Sequence, residues 1–133
     1  MGIRSDLDAN FDFEIVDEFL DHYSMMVDSM EIMILDLSKP NMQRRSIDEL
    51  FRVFHNIKSA SGFLKIEAMA RLSTLVEDEL EQLRSNKKPV NEETINWLLE
   101  ISDMFAAWHD NLKMDEELNK IRFSLLKIPD IEK

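Results

Sequence analysis

The chain of 133 residues has no cysteine, only two glycines and three prolines, and no excess of basic residues. Without cysteine there is no disulfide framework, and a zinc site of the usual Cys/His kind cannot be assembled. The scarcity of glycine and proline leaves little material for hairpin turns, whereas abundant Leu, Met, Glu and Lys favour helix. Against 27 acidic residues stand 16 Lys and Arg, for a net charge of −11. That charge opposes binding to phosphate backbones or anionic lipid, and the largest basic clusters are only Arg44-Arg45 and Lys87-Lys88. No apolar run approaches the roughly 20 residues of a membrane span, and the N-terminus lacks the apolar core of a signal peptide. The expectation is a soluble, cytoplasmic, all-α single domain over residues 1–133, monomeric by default, with neither nucleic acid nor membrane as partner.

What is present is helical periodicity. Phe13, Val16, Leu20, Tyr23, Val27, Met30, Ile34 and Leu37 recur at steps of three and four, with a second row at Phe19, Met26 and Met33. They predict a long first helix over about 10–38, ended by Ser38-Lys39-Pro40-Asn41. Ser46 followed by Glu49 reads as a capping box opening a second helix over 46–63, with Gly62 at or near its end. Met69, Leu72, Val76, Leu80 and Leu83 predict a third helix over 66–85. Asn91, with Glu92 and Glu93 behind it, caps a fourth over 91–112 that carries Ile95, Leu98, Ser102, Phe105, His109 and Leu112 on one face. Leu118, Ile121, Leu125 and Ile128 predict a fifth over 115–128, while 1–9 and 129–133 read as frayed ends. Short connections make the expected architecture an antiparallel up-down four-helix bundle with an additional C-terminal helix.

Of three histidines, His22 and His109 lie at the edge of apolar rows and read as surface or edge-of-core residues. His55 differs. The mean direction of Ile47, Leu50, Phe54, Ile57 and Ser61 defines the buried face of the second helix, and at 100° per residue His55 falls roughly 120° from it. Lys58 and Gly62 follow on the same flank and Ser59 lies a turn away, so an exposed imidazole stands beside a cation and above a low surface.

The stretch from Leu50 to Leu64, Leu-Phe-Arg-Val-Phe-His-Asn-Ile-Lys-Ser-Ala-Ser-Gly-Phe-Leu, resembles the phosphoacceptor helix of histidine phosphotransfer domains, particularly those at the N-terminus of chemotaxis-type histidine kinases. The similarity extends to a long acidic first helix and a further C-terminal helix, and covers nearly the whole chain. The resemblance implies that His55 is the phosphoacceptor, that Lys58 screens the phosphoryl group, and that Glu77 on the third helix orients the imidazole. It also implies a docking face formed by Phe51, Ser59, Gly62, Lys65 and Thr74. Ser59 and Lys65 stand where the family usually has glycine, and Thr74 where some members have a second histidine. The chain has no glycine-rich phosphate loop and no acidic Mg²⁺ cradle. It is therefore expected to bind no cofactor or metal itself, with ATP and Mg²⁺ on its partners: a histidine kinase catalytic domain and a response-regulator receiver domain.

Two rivals come from other classes. A di-iron bundle needs Glu three residues before histidine, but Phe19, Arg52 and Ala106 precede the three histidines. A non-catalytic helical adaptor would instead bind a partner through a face of Met25, Met26, Met30 and Met33.

Overall fold

The apolar periodicity becomes helix almost throughout. The computed structural model describes residues 2–132, so Met1 and Lys133 of the expected frayed ends lie outside the described residues. Five helices follow in order: α1 (Ile3–Asn10), α2 (Phe13–Leu35), α3 (Gln43–Phe63), α4 (Glu67–Ser85) and α5 (Glu92–Lys113). Single 3-10 turns occur at Asp36–Ser38 and Phe123–Leu126, and no strand occurs among the described residues. The protein is all-α, as its composition requires.

Helices α2 to α5 form the bundle. Tyr23 in the middle of α2 donates its hydroxyl to the Phe105 carbonyl of α5 at 2.6 Å, and the start of α2 lies beside the end of α5 around Asp17, Leu20, His109 and Leu112. Those two helices therefore run antiparallel. Helices α3 and α4 are also antiparallel, since Asp48 meets Arg84 at one end and His55 meets Glu77 further along. The core is built from Tyr23, Met30, Ile34, Leu50, Phe54, Ile57, Met69, Val76, Leu80, Leu98, Ile101, Phe105 and Trp108, all fully buried. Each such side chain stabilises the fold by about 1.5–3 kcal/mol relative to exposure.

The structure departs from expectation in four places. The predicted first helix is divided at Phe11-Asp12, where Asp12 caps α2 by accepting from the Glu14 amide at 2.8 Å, and Phe13 points outward. The segment expected to fray is α1, anchored by buried Leu7 and by contacts with residues 115–116 that no local pattern announces.

The second boundary is the start of α3 at Gln43, one turn before the expected capping box. Ser46 is buried inside the helix rather than capping it. The earlier start is supported from outside: Gln43 Oε1 accepts from the Val90 amide at 3.0 Å, and Arg44 donates to the Arg84 carbonyl at 3.0 Å.

Third, the predicted C-terminal helix over 115–128 does not form. Asp115 adopts φ 53°, in the left-handed region, and turns the chain out of α5. The returning strap then gives its carbonyls to side chains rather than to a helix: Trp108 Nε1 donates to Asn119 O at 2.8 Å and Trp97 Nε1 to Leu125 O at 2.9 Å. The extra helix is thus N-terminal, and an extended strap packs on α5. This also explains why α5 buries Trp97, Ile101, Met104 and Trp108, a second row beyond the one predicted face.

Fourth, the methionine row of α2 is not a free face. Met26 and Met30 are buried and Met33 is half-buried, leaving Met25 alone exposed. An adaptor binding through these four side chains therefore lacks its surface. No helix among the described residues is long and apolar enough to cross a membrane.

Candidate functional site

Burial of Leu50, Phe54 and Ile57 against the bundle fixes the rotation of α3 and turns position 55 outward. The His55 side chain is 53% exposed. Val76 and Leu80 anchor α4 in the same core and set Glu77 at the edge of the α3–α4 interface, with its side chain 12% exposed. There one carboxylate serves two side chains from successive turns of α3. Glu77 Oε2 lies 2.9 Å from His55 Nδ1, and Glu77 Oε1 accepts from Lys58 Nζ at 2.9 Å.

Burial acts to raise the Glu77 carboxyl, but hydrogen bonds and charge from Lys58 and His55 outweigh it and hold the group below the ordinary carboxylate value. At neutral pH the carboxylate is therefore ionised and can only accept, so the proton in the contact belongs to His55 Nδ1. When unprotonated at Nε2, the imidazole carries its lone pair there, and Nε2 has no hydrogen-bond partner among the described residues. Such a ring is a nucleophile backed by an anion, and the anion stabilises the positive charge that develops when Nε2 bonds an electrophile.

The other sequence-selected residues are distributed more widely. Ser59, Gly62 and Lys65 are exposed along α3 and its exit turn. Gly62 lies within the helix, and a Cβ added there would meet nothing within 4 Å. The helix ends at Phe63, and the chain turns at Lys65, whose φ of 59° allows the Ile66 amide to reach the Ser61 carbonyl at 2.8 Å. Thr74, one turn before Glu77, donates its hydroxyl to the Ala70 carbonyl at 2.8 Å, so its polar hydrogen is used within α4. Phe51 is half-buried against His55, the two rings nearly parallel at 10° with centroids 6.3 Å apart.

Two features escaped the sequence reading. The guanidinium of Arg84 lies over the Phe51 ring, 4.6 Å from its centroid, and pairs with Asp48 and Glu81. A groove of about 210 Å³ between α2 and α3 is lined by Ile15, Glu18, Phe19, His22, Met26, Asn56 and Ala60, placing His22 on the same side of α3 as Asn56. Only the apolar spacing of α2 hinted at the groove. His109 packs half-buried near Tyr23, at 6.1 Å between ring centroids. Among the described residues, no group of three or more His, Asp or Glu side chains is placed to share a metal ion. A cavity of about 570 Å³ lies by Leu37, Arg44 and Pro89 near the start of α3, away from His55.

An exposed histidine on the second bundle helix, hydrogen-bonded to a glutamate of the third, agrees with the family model that the sequence matches over residues 14–119, the Hpt domain. The chain belongs to the Hpt domain family. Its similar curated proteins include the chemotaxis protein CheA of Treponema pallidum (strain Nichols), 28% identical over 107 residues, or 80% of this chain and 13% of that protein. The chemotaxis protein CheA of Salmonella typhimurium is 26% identical over 108 residues, covering 81% of this chain and 16% of that protein. This Hpt domain thus spans less than one fifth of the length of the relatives it matches. No solved structure matches it.

Proposed function

We propose that this Hpt domain is a phosphoryl carrier in a two-component phosphorelay or chemotaxis-type pathway, with His55 as the phosphoacceptor. The observation that carries the reading is the pairing of His55 Nδ1 with an ionised Glu77 while more than half of the imidazole side chain stays exposed. In the forward step the Nε2 lone pair attacks phosphorus of a donor held by another protein, and the P–O bond to the leaving group breaks with its electrons on that group. The donor is ATP on a histidine kinase catalytic domain, or an aspartyl phosphate on a receiver domain. The positive charge left on the imidazole rests against Glu77. Lys58, on the turn after His55, exchanges part of its contact with Glu77 for the phosphoryl oxygens and screens their charge. In the second step a receiver-domain aspartate attacks the same phosphorus, with Mg²⁺ on the receiver.

The domain supplies a nucleophile and its orientation, and its partners supply nucleotide and metal. The exposed run of Ser59, Gly62 and Lys65, with Thr74 across on α4 and the apolar groove between α2 and α3 alongside, supports docking of a receiver or kinase surface over His55. Incubation with a histidine kinase catalytic domain and labelled ATP is expected to give an acid-labile, base-stable phosphate that then passes to a receiver domain in Mg²⁺. H55Q is expected to take up none while keeping its helicity. Equal labelling of H55Q would remove His55 from the role.

A further inference from the structure

One hydrogen bond does not fix a ring. With Nδ1 held by Glu77 alone, coupled rotations about χ1 and χ2 still tilt the imidazole of His55 and move Nε2. Side chains on a helix lean towards its N-terminus, so the ring at position 55 comes to lie over position 51, one turn earlier. The residue there is Phe51, stacked on the imidazole at 10° and 6.3 Å, within the range of offset aromatic pairs.

Phe51 is itself half-buried at the edge of the α3–α4 seam and is held from the other helix. Because α3 and α4 are antiparallel, the residue two turns after Glu77 comes level with the residue two turns before His55; these are Arg84 and Asp48. Arg84 Nε lies 3.2 Å from Asp48 Oδ1, Nη1 lies 3.3 Å from Glu81 Oε2, and its Cζ stands 4.6 Å over the Phe51 ring. Two carboxylates from two helices fix the guanidinium, the guanidinium covers Phe51, and Phe51 flanks the imidazole.

We propose that Phe51, held in place by Arg84, is a positioning residue for His55: it restricts the ring plane that the Glu77 hydrogen bond leaves free and so aims Nε2. This rests on the phosphoacceptor reading of His55. It differs from a docking role for Phe51 in one testable respect, because ring aim matters even when no partner protein is present.

A partner-free donor separates the two. Phosphoramidate carries phosphorus on a protonated nitrogen; Nε2 bonds to phosphorus, the P–N bond breaks, its electron pair leaves on nitrogen as ammonia, and the imidazolium formed keeps its Nδ1 proton on Glu77. The maximal rate and the half-saturating phosphoramidate concentration are measured for wild type, F51L, F51Y and R84Q, with helicity and thermal midpoint recorded for each. F51L is expected to lower the maximal rate about three- to tenfold at little-changed half-saturation, F51Y to restore it, and R84Q to fall between. F51L and F51Y both keep a bulky side chain, so a purely structural role predicts similar rates for the two. F51L reacting at the wild-type rate, or F51Y as slow as F51L, would overturn the positioning role while leaving His55 the acceptor. Wild type labelled neither by phosphoramidate nor by kinase and ATP would overturn the acceptor reading itself.

Discussion

At the scale of single residues the site depends on Glu77. One carboxylate contacts both His55 and Lys58, so its removal is expected to affect both the tautomer and the local charge. E77Q retains the shape but can offer an amide N–H to Nδ1, which favours the tautomer with its proton on Nε2. The rate of His55 phosphorylation is expected to fall by about 10²-fold, measured as initial label uptake, with helicity unchanged. The pH dependence follows from the direction of the shift. The folded Glu77 carboxyl lies below its unfolded value, so its contribution to stability is present above about pH 4.5 and is lost as pH falls through the folded value. Asp115, lowered by hydrogen bonds from the Ser5 hydroxyl and amide, acts in the same sense. Glu79, raised by burial and then by Asp78, acts in the opposite one. Thermal midpoints between pH 3 and 7 should therefore drop on the acid side for wild type and drop less steeply for E77Q; identical slopes would contradict the shift. The exposure of His55 and its nearness to Lys58 were legible from spacing and helix rotation, whereas the choice of these two and of Glu77 as a site rested on the family resemblance. The contact of Arg84 with Phe51 was not, because it depends on the register of α4 against α3, which no local pattern encodes.

At the scale of elements, local sequence pattern specifies the structure where a helix buries one face and is capped by its own residues. Asn91 accepts from the Thr94 amide at 2.8 Å, as its position before Glu92 and Glu93 led one to expect. That pattern fails where tertiary partners decide. Gln43 and Arg44 extend α3 through bonds to residues on α4 and the α4–α5 loop, and the indole N–H groups of Trp97 and Trp108 hold the strap carbonyls in an extended path. Of the four strap residues that apolar spacing marked, three turn inward, with Leu125 fully buried and Leu118 and Ile121 partly so, but Ile128 of the same row is exposed; nor did the spacing set their backbone. The exit from α3 carries a cost that can be relieved. Lys65 is a non-glycine residue at φ 59°, and its exposed side chain meets no demand of packing. K65G is expected to raise stability by about 0.5–1 kcal/mol, the relief of left-handed strain offset in part by glycine's chain entropy. Chemical denaturation measures it, and a loss of stability would show that the lysine side chain contributes more than its backbone costs.

At the scale of the whole molecule, the bundle presents His55 on one seam while α1 and the strap fasten to each other elsewhere. The Asp115 carboxylate accepts from the Ser5 amide at 2.9 Å and from the Ser5 hydroxyl, and the Ile3 amide donates to Glu116 O at 2.9 Å. Gly2 fits there because a Cβ would come within 2.2 Å of the Asp115 carbonyl oxygen, a backbone atom that cannot move aside cheaply. G2A should therefore destabilise the fold by about 1–3 kcal/mol yet leave the rate of His55 phosphorylation within error, since α1 supplies none of the site. A matching loss of rate would show that the two regions are coupled.

If Glu77 holds the Nδ1 proton, Nε2 is the nucleophile, and the ring nitrogen that carries the phosphoryl group reveals it. Long-range ¹H–¹⁵N correlation of the phosphorylated, ¹⁵N-labelled Hpt domain distinguishes the two ring positions. A single species with phosphorus on His55 Nε2 is expected; phosphate on Nδ1, or on His22 or His109, would overturn that assignment.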